Sequence, residues 1–188
     1  MKKFLVVSVA VEIILASIWL FSGYGSSFGP YSTKLCLWGV LLTLPLLLFN
    51  VVLLNQLVER YEIFEPFKFL REQVFGPLAA QMSTLDIVVA SFAAGIGEEL
   101  FFRGVLLPLT GLWISSFLFG AVHFVSAPRR FAIPIIIYTL AGLYLGYLAQ
   151  WSEGLFLPLV THVLYDLAVL FWLRRSFRDK VEETTEAP

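Results

Sequence analysis

The chain has 188 residues, 59% of them hydrophobic and 14% charged, with a formal net charge of −1. Its mean hydropathy is +0.82, whereas a soluble domain usually carries about 25% charged residues. This composition excludes a soluble globular domain, the balanced charge gives no footing for nucleic acid, and a single cysteine, Cys36, excludes an intrachain disulfide.

A membrane-spanning helix needs about 20 mostly apolar residues. Six candidates occur in order: Phe4–Phe21, Leu35–Leu54, Thr84–Leu107, Leu112–Phe124, Ile133–Ala149 and Leu155–Leu173. The first follows Met1-Lys-Lys. Its apolar run, about 18 residues, exceeds the 7–15 of a signal peptide, so it reads as an uncleaved helix. The fold class expected is an all-α polytopic bundle of about six transmembrane helices, forming a single membrane domain over 1–188. Between the second and third spans, residues 55–82 mix aromatic and charged side chains. They read as an amphipathic linker lying on the membrane surface as a connector. Residues 174–188 form a polar C-terminal tail.

Lysine and arginine fix the orientation. With the N-terminus inside, all of them fall on the cytoplasmic side except Lys34, in an outer loop, and Arg103, inside a span. The expectation is a multi-pass protein of the cell membrane with both termini cytoplasmic.

Charges within the spans carry the functional argument. A charge at the bilayer centre costs from about 3 to more than 10 kcal/mol, yet the third span holds Glu98, Glu99 and Arg103. Glu99 and Arg103, four apart, share a helix face and are expected to form an ion pair. Glu98 points about 100° away, lacks a local partner, and is free to act as general acid or base. A second four-residue pair is Phe119 and His123, with Gly120 and Ala121 small enough for close helix approach. The third is His162 and Asp166, where the carboxylate would accept from one ring nitrogen, fix the tautomer and favour the charged form, so that the other nitrogen is a donor. The chain has two histidines, and both lie in this set.

Outside these pairs, Glu12 is a membrane-depth carboxylate in the first span, expected to bond a neighbour in the bundle. Asp86 sits at the start of the third span, where an acid favours a helix N-terminus. Gly142 and Gly146 form a Gly-x-x-x-Gly pattern suited to close helix crossing.

The ordered triple Glu98-Glu99-x-x-x-Arg103, Phe119-x-x-x-His123 and His162-x-x-x-Asp166 resembles the CPBP family of intramembrane, glutamic-type proteases. The eukaryotic members of that family are the type 2 CAAX prenyl endopeptidases. The resemblance covers about residues 84–173, read as the catalytic core, and is to the small prokaryotic forms. It implies an endopeptidase acting on membrane-associated or C-terminal tail peptides. In it, Glu98 and His123 activate a water, His162 and residue 166 stabilise the oxyanion, and Glu99 and Arg103 support the site. Prenyl-protein proteases usually carry Asn where this chain has Asp166, which shifts the donor role toward His162.

Two other classes fit some of the same residues. A zinc metalloprotease would use Glu98, His123, His162 and Asp166 as ligands, although no His-Glu-x-x-His helix is present. A proton-coupled transporter or a bacteriocin-immunity-type membrane protein would use them without hydrolysis, but no internal repeat is visible. No cofactor is required by the protease reading. The partners expected are the lipid bilayer and a membrane protein or peptide substrate, with no nucleic acid and an open oligomeric state. Catalysis needs Glu98, His123 and His162 at one depth. With these span limits His123 falls about 10 Å from that level, which calls for different helix ends or a tilted or offset fourth span.

Overall fold

The protein was described from a computed structural model covering residues 2–23 and 28–186, with side chains to residue 178. The Lys180 side chain and residues 187–188 of the polar tail lie outside the described residues. Every regular element among the described residues is helical. The six principal ones are α1 (Lys2–Phe21), α2 (Thr33–Val52), α3 (Thr84–Glu98), α4 (Leu107–Val122), α5 (Ala132–Trp151) and α6 (Phe156–Glu186). A π-helical stretch, Glu99–Leu106, joins α3 to α4. The backbone of α6 continues helically into the polar tail.

Each helix begins or ends where local chemistry dictates. Ser32 caps α2 by accepting from Leu35 N at 3.2 Å. Ser83 and Asp86 close a reciprocal capping box on α3, each side chain bonding the other's backbone N–H, which gives Asp86 its structural role. Gly111, at φ 81° and ψ 171°, breaks the helical path inside α4. That left-handed conformation suits glycine, and it turns the chain back at the end of the predicted Pro108–Gly111 turn.

Among the described residues, five helices are long and apolar enough to cross a membrane, and the third, Thr84–Val122, is 39 residues long. Unbroken, it would run about 58 Å, twice the roughly 30 Å of a hydrocarbon core. The break at Gly111 resolves that excess and corrects the expected fourth span. The returning arm, residues 112–122, is about 17 Å long and cannot cross alone. It packs antiparallel on α5, with Gly120 against Ile135 and Thr139, and Ser116 and Leu112 against Gly142 and Gly146. The Gly-x-x-x-Gly pattern therefore serves an intramolecular crossing.

Two further bonds set the heights of the helices. Arg174 on α6 donates to Thr84 Oγ1 at 3.2 Å, so the start of α3 lies level with position 174. Arg178 donates to Ala80 O at 3.0 Å. On α2, Thr43 Oγ1 donates to Thr161 O at 3.3 Å and to Gly39 O at 2.8 Å, which seats α2 against α6.

The linker is more than a surface connector. Leu53, Leu54, Val58 and Phe67 form a buried cluster with Ile133, Ile137, Tyr138 and Trp172 packed against it. Leu70 joins Phe124 and Phe131 in a second cluster that also touches Tyr138. Glu59 gathers two cations of the segment: the exposed Lys68 Nζ lies 2.9 Å from it, and Nη2 of the largely buried Arg71, which also donates to Leu54 O, lies 2.7 Å from it. The hydrogen bond to Glu59 holds the Lys68 ammonium above its usual range. Apolar side chains thus fasten this segment to the ends of α5 and α6, and the Lys68–Glu59 pair faces outward.

Candidate active site

Helix arithmetic explains why distant residues meet. From Thr84 to Glu98 is 14 positions and from Arg174 back to His162 is 12, or about 21 and 18 Å from one common level. From Gly111, Glu98 lies 13 positions back and His123 lies 12 positions forward. The folded-back arm therefore returns His123 to the height of Glu98. The expected 10 Å mismatch disappears because the fourth segment ends at the site instead of crossing. His123 Nε2 lies 3.4 Å from Glu98 Oε1 and His162 Nε2 lies 3.9 Å from Glu98 Oε2.

Glu99 and Arg103 form the expected pair, Arg103 Nη1 donating to Glu99 Oε1 at 2.8 Å, with Glu99 wholly inaccessible. The same oxygen accepts from His162 Nδ1 at 2.8 Å. This corrects the expected partner of His162. Glu99, not Asp166, fixes its tautomer, and Asp166 Oδ2 instead lies 3.7 Å from the other nitrogen, Nε2. With Nδ1–H committed to Glu99, His162 turns Nε2 toward both Glu98 and Asp166. Of the two carboxylates of one dipeptide, Glu99 thus bonds one edge of the ring and Glu98 faces the other at 3.9 Å.

Arg103 has two more contacts. Its Nη2 donates to Gly142 O at 3.1 Å, and its guanidinium lies 4.4 Å from the Phe119 ring centre. That ring is also 5.1 Å from the His123 ring and 6.1 Å from the His162 ring. Phe119 is thereby a shared apolar wall between the cation and both imidazoles. His123 Nδ1 donates to Phe119 O at 2.7 Å. In the neutral ring this leaves the Nε2 lone pair facing Glu98.

Exposure is graded across the site. The Glu98 side chain is 13% accessible and His123 26%, against 0% for Glu99. The interior pair is sealed, while Glu98 and His123 lie on the open side. Among the described residues, no three His, Cys, Asp or Glu side chains are grouped to hold one metal ion.

Several neighbours escaped the sequence reading. Tyr138 stacks 4.9 Å from the His123 ring and belongs to both clusters under the linker, so it ties the site to that segment. Asn50 Nδ2 donates to Tyr165 OH at 2.6 Å, placing a polar pair from α2 and α6 beside Asp166. Gly95 lets α3 approach α6: a Cβ there would meet Val163 Cα at 3.3 Å and its N at 3.1 Å, one residue from His162. The only available signal for Gly95 was the small-residue run Ala93-Ala-Gly-Ile-Gly97. Glu12 faces the bundle as expected, but its Oε2 is buried without a hydrogen-bond partner.

Residues 80–168 match the family model described as type II CAAX prenyl endopeptidase Rce1-like. An uncharacterized protein of Bacillus subtilis, YpbD, is 31% identical over 110 residues, which cover 57% of this chain and 57% of that protein. The chain thus matches little more than half of that relative's length. No solved structure matches the chain. The matched stretch carries Glu98, Glu99, Arg103, His123, His162 and Asp166 and leaves out α1 and α2. Over residues 80–168, this multi-pass membrane protein is similar to the Rce1-like domain of type II CAAX prenyl endopeptidases.

Proposed function

We propose that this protein is an intramembrane endopeptidase in which Glu98 and His123 activate a water against a peptide bond of a membrane-associated or C-terminal tail peptide. The observation that carries this reading is the placement of Glu98 between the Nε2 atoms of His123 and His162, at 3.4 and 3.9 Å, on the accessible side of a sealed ion pair. Glu98 and the neutral His123 Nε2 are both acceptors, so a water between them is held by its two protons with its lone pairs outward. As its oxygen bonds the carbonyl carbon, one proton passes to Glu98, and that proton then leaves on the departing nitrogen. A doubly protonated His162 donates to Glu99 through Nδ1 and offers Nε2–H to the oxyanion. Glu99, Arg103 and Phe119 hold that ring in place. The positive-inside pattern puts both termini in the cytoplasm of a cell-membrane protein.

The test is cleavage by the purified full chain in bilayers, with two probes: a fluorogenic CAAX-tailed peptide, prenylated and unprenylated, and a single-span reporter. Cleavage of either, mapped by mass spectrometry and reduced by about 10²-fold or more in Glu98→Gln, supports the reading. A Glu98→Gln protein that cleaves at the parental rate overturns it, and so does a folded parental chain that cleaves neither probe.

A further inference from the structure

α1 lies outside the matched stretch, and its single buried residue is a carboxylate, Glu12. Around it α1 is apolar and largely accessible, as a lipid-facing helix should be: Val11, Ile13 and Ile14 are all exposed. A peripheral membrane helix usually docks through small or apolar residues. Here, besides Trp19 on Gly104, a carboxylate docks the helix: Glu12 is 9% exposed, with Oε2 fully buried and without a hydrogen-bond partner. Among the described residues, no lysine, arginine or histidine forms an ion pair with it.

Its seat lies beside the candidate active site. A Cβ on Gly97 would fall 2.6 Å from Glu12 Oε2, 2.7 Å from Glu12 O and 2.8 Å from its Cβ, so the glycine is what admits this carboxyl. Gly97 immediately precedes Glu98. The ionisable groups whose charges act on Glu12 are Glu98, His123, His162 and Asp166, on α3, just beyond α4, and on α6; Glu99 and Arg103, in the π-helical stretch, are committed to each other. An unpaired buried polar atom calls for a partner, and a buried water bonded to two or more polar groups is the common one.

We infer that Glu12 is a positioning residue for Glu98, its carboxyl joined to that of Glu98 through a shared proton or water, so that α1 contributes to a site otherwise built from the Rce1-like stretch. This inference rests on the reading of Glu98 as the water-activating group. It assigns Glu12 no contact with substrate. It acts by setting where the proton of the Glu98 pair resides and which Glu98 oxygen faces the incoming water.

Two measurements on the full chain in bilayers decide it. The first is infrared difference spectroscopy across a pH titration of the parent, Glu12→Gln, Glu12→Asp and Glu98→Gln. A coupled pair predicts a carboxylic-acid C=O band that is lost in Glu12→Gln, shifted in Glu12→Asp, and displaced by Glu98→Gln although Glu12 is intact. A Glu12 band indifferent to Glu98→Gln overturns the inference, as does a spectrum that Glu12→Gln leaves unchanged. This arm needs no cleavage, so failure of the protease reading is told apart from failure here. The second is the pH profile of cleavage of the single-span reporter. Glu12→Gln, which keeps the shape of the side chain, is expected to shift the profile and slow the rate by roughly tenfold, with partial rescue by Glu12→Asp. A Glu12→Gln profile superimposable on the parent's overturns the inference.

Discussion

His162 donates from Nδ1 to Glu99 Oε1 at 2.8 Å, bridging 63 positions of sequence. The oxygen that receives it is already bonded to Arg103. One buried carboxylate oxygen therefore neutralises a guanidinium and orients an imidazole together, and removing any member strands the others.

Arg103→Ala should be the most damaging single change to stability. It leaves Glu99, 0% exposed, without its cation, and breaking a buried pair in this way costs about 3–5 kcal/mol. Arg103→Lys should not rescue it fully. A lysine replaces the bond to Glu99 but cannot also donate to Gly142 O and stack on Phe119. Thermal unfolding of both variants in detergent, followed by tryptophan fluorescence, is the check; equal melting temperatures for Lys and Arg at this position would refute the threefold role.

Asp166→Asn should remain active, and Asp166→Ala should not. Asp166 Oδ2 faces His162 Nε2 at 3.7 Å, so its place is beside the proposed oxyanion. Asn there supplies an N–H donor of its own, at the position where prenyl-protein proteases usually carry one. Alanine supplies neither donor nor orienting acceptor, and misplacing His162 in this way is expected to cost about 10²-fold in rate. Cleavage rates of the single-span reporter by the two variants are the measurement. An alanine variant as fast as the asparagine one would remove residue 166 from the mechanism.

Chelation should leave the cleavage rate unchanged. Zinc would draw the His123 and His162 Nε2 atoms and a Glu98 oxygen to about 2.0–2.2 Å from itself. In the proposed mechanism the same groups hold a water against Glu98 and turn His162 Nε2–H to the oxyanion, with no step through a metal. Dialysis against a strong chelator, with elemental analysis of the protein before and after, tests this. Loss of activity restored by zinc alone would replace the water-activation scheme with a metal one.

The identity of the site was legible in the sequence because charge is so costly at membrane depth. Glu98, Glu99, Arg103, His123, His162 and Asp166 stand out against lipid-compatible neighbours, and four-residue spacing gives the Glu99–Arg103 pair directly. What spacing along one helix cannot give is contact between helices. The nearest same-face carboxylate to His162 is Asp166, yet Glu99 takes the Nδ1 bond because α3 approaches α6 closely at Gly95. The fourth segment departs from the expected span for a related reason. Hydropathy registers an apolar run but not its end point, and only the reversal at Gly111, with antiparallel packing on α5, shows that residues 112–122 stop at the site. The linker's burial was hidden because Phe67 and Leu70 alternate with Lys68 and Arg71, which pair with Glu59.

Gly95→Val should separate site geometry from site chemistry, since it alters no polar group. A Cβ at 95 already stands 3.1 Å from Val163 N and 3.3 Å from Val163 Cα, which are backbone atoms that cannot swing aside. A branched side chain must push α6 away from α3, and overpacking of this kind costs about 1–3 kcal/mol. The same displacement lengthens the bond from His162 to Glu99, which lies one residue along α6 and one turn along α3 from the contact. The expected outcome is a folded protein with a lowered melting temperature and a cleavage rate reduced by about 10²-fold, in line with misplacement of a catalytic group by about 1 Å. Gly95→Ala should fall between Val and the parent in both measurements. A Gly95→Val protein that loses stability but cleaves at the parental rate would show that the α3–α6 spacing supports the fold without setting the site.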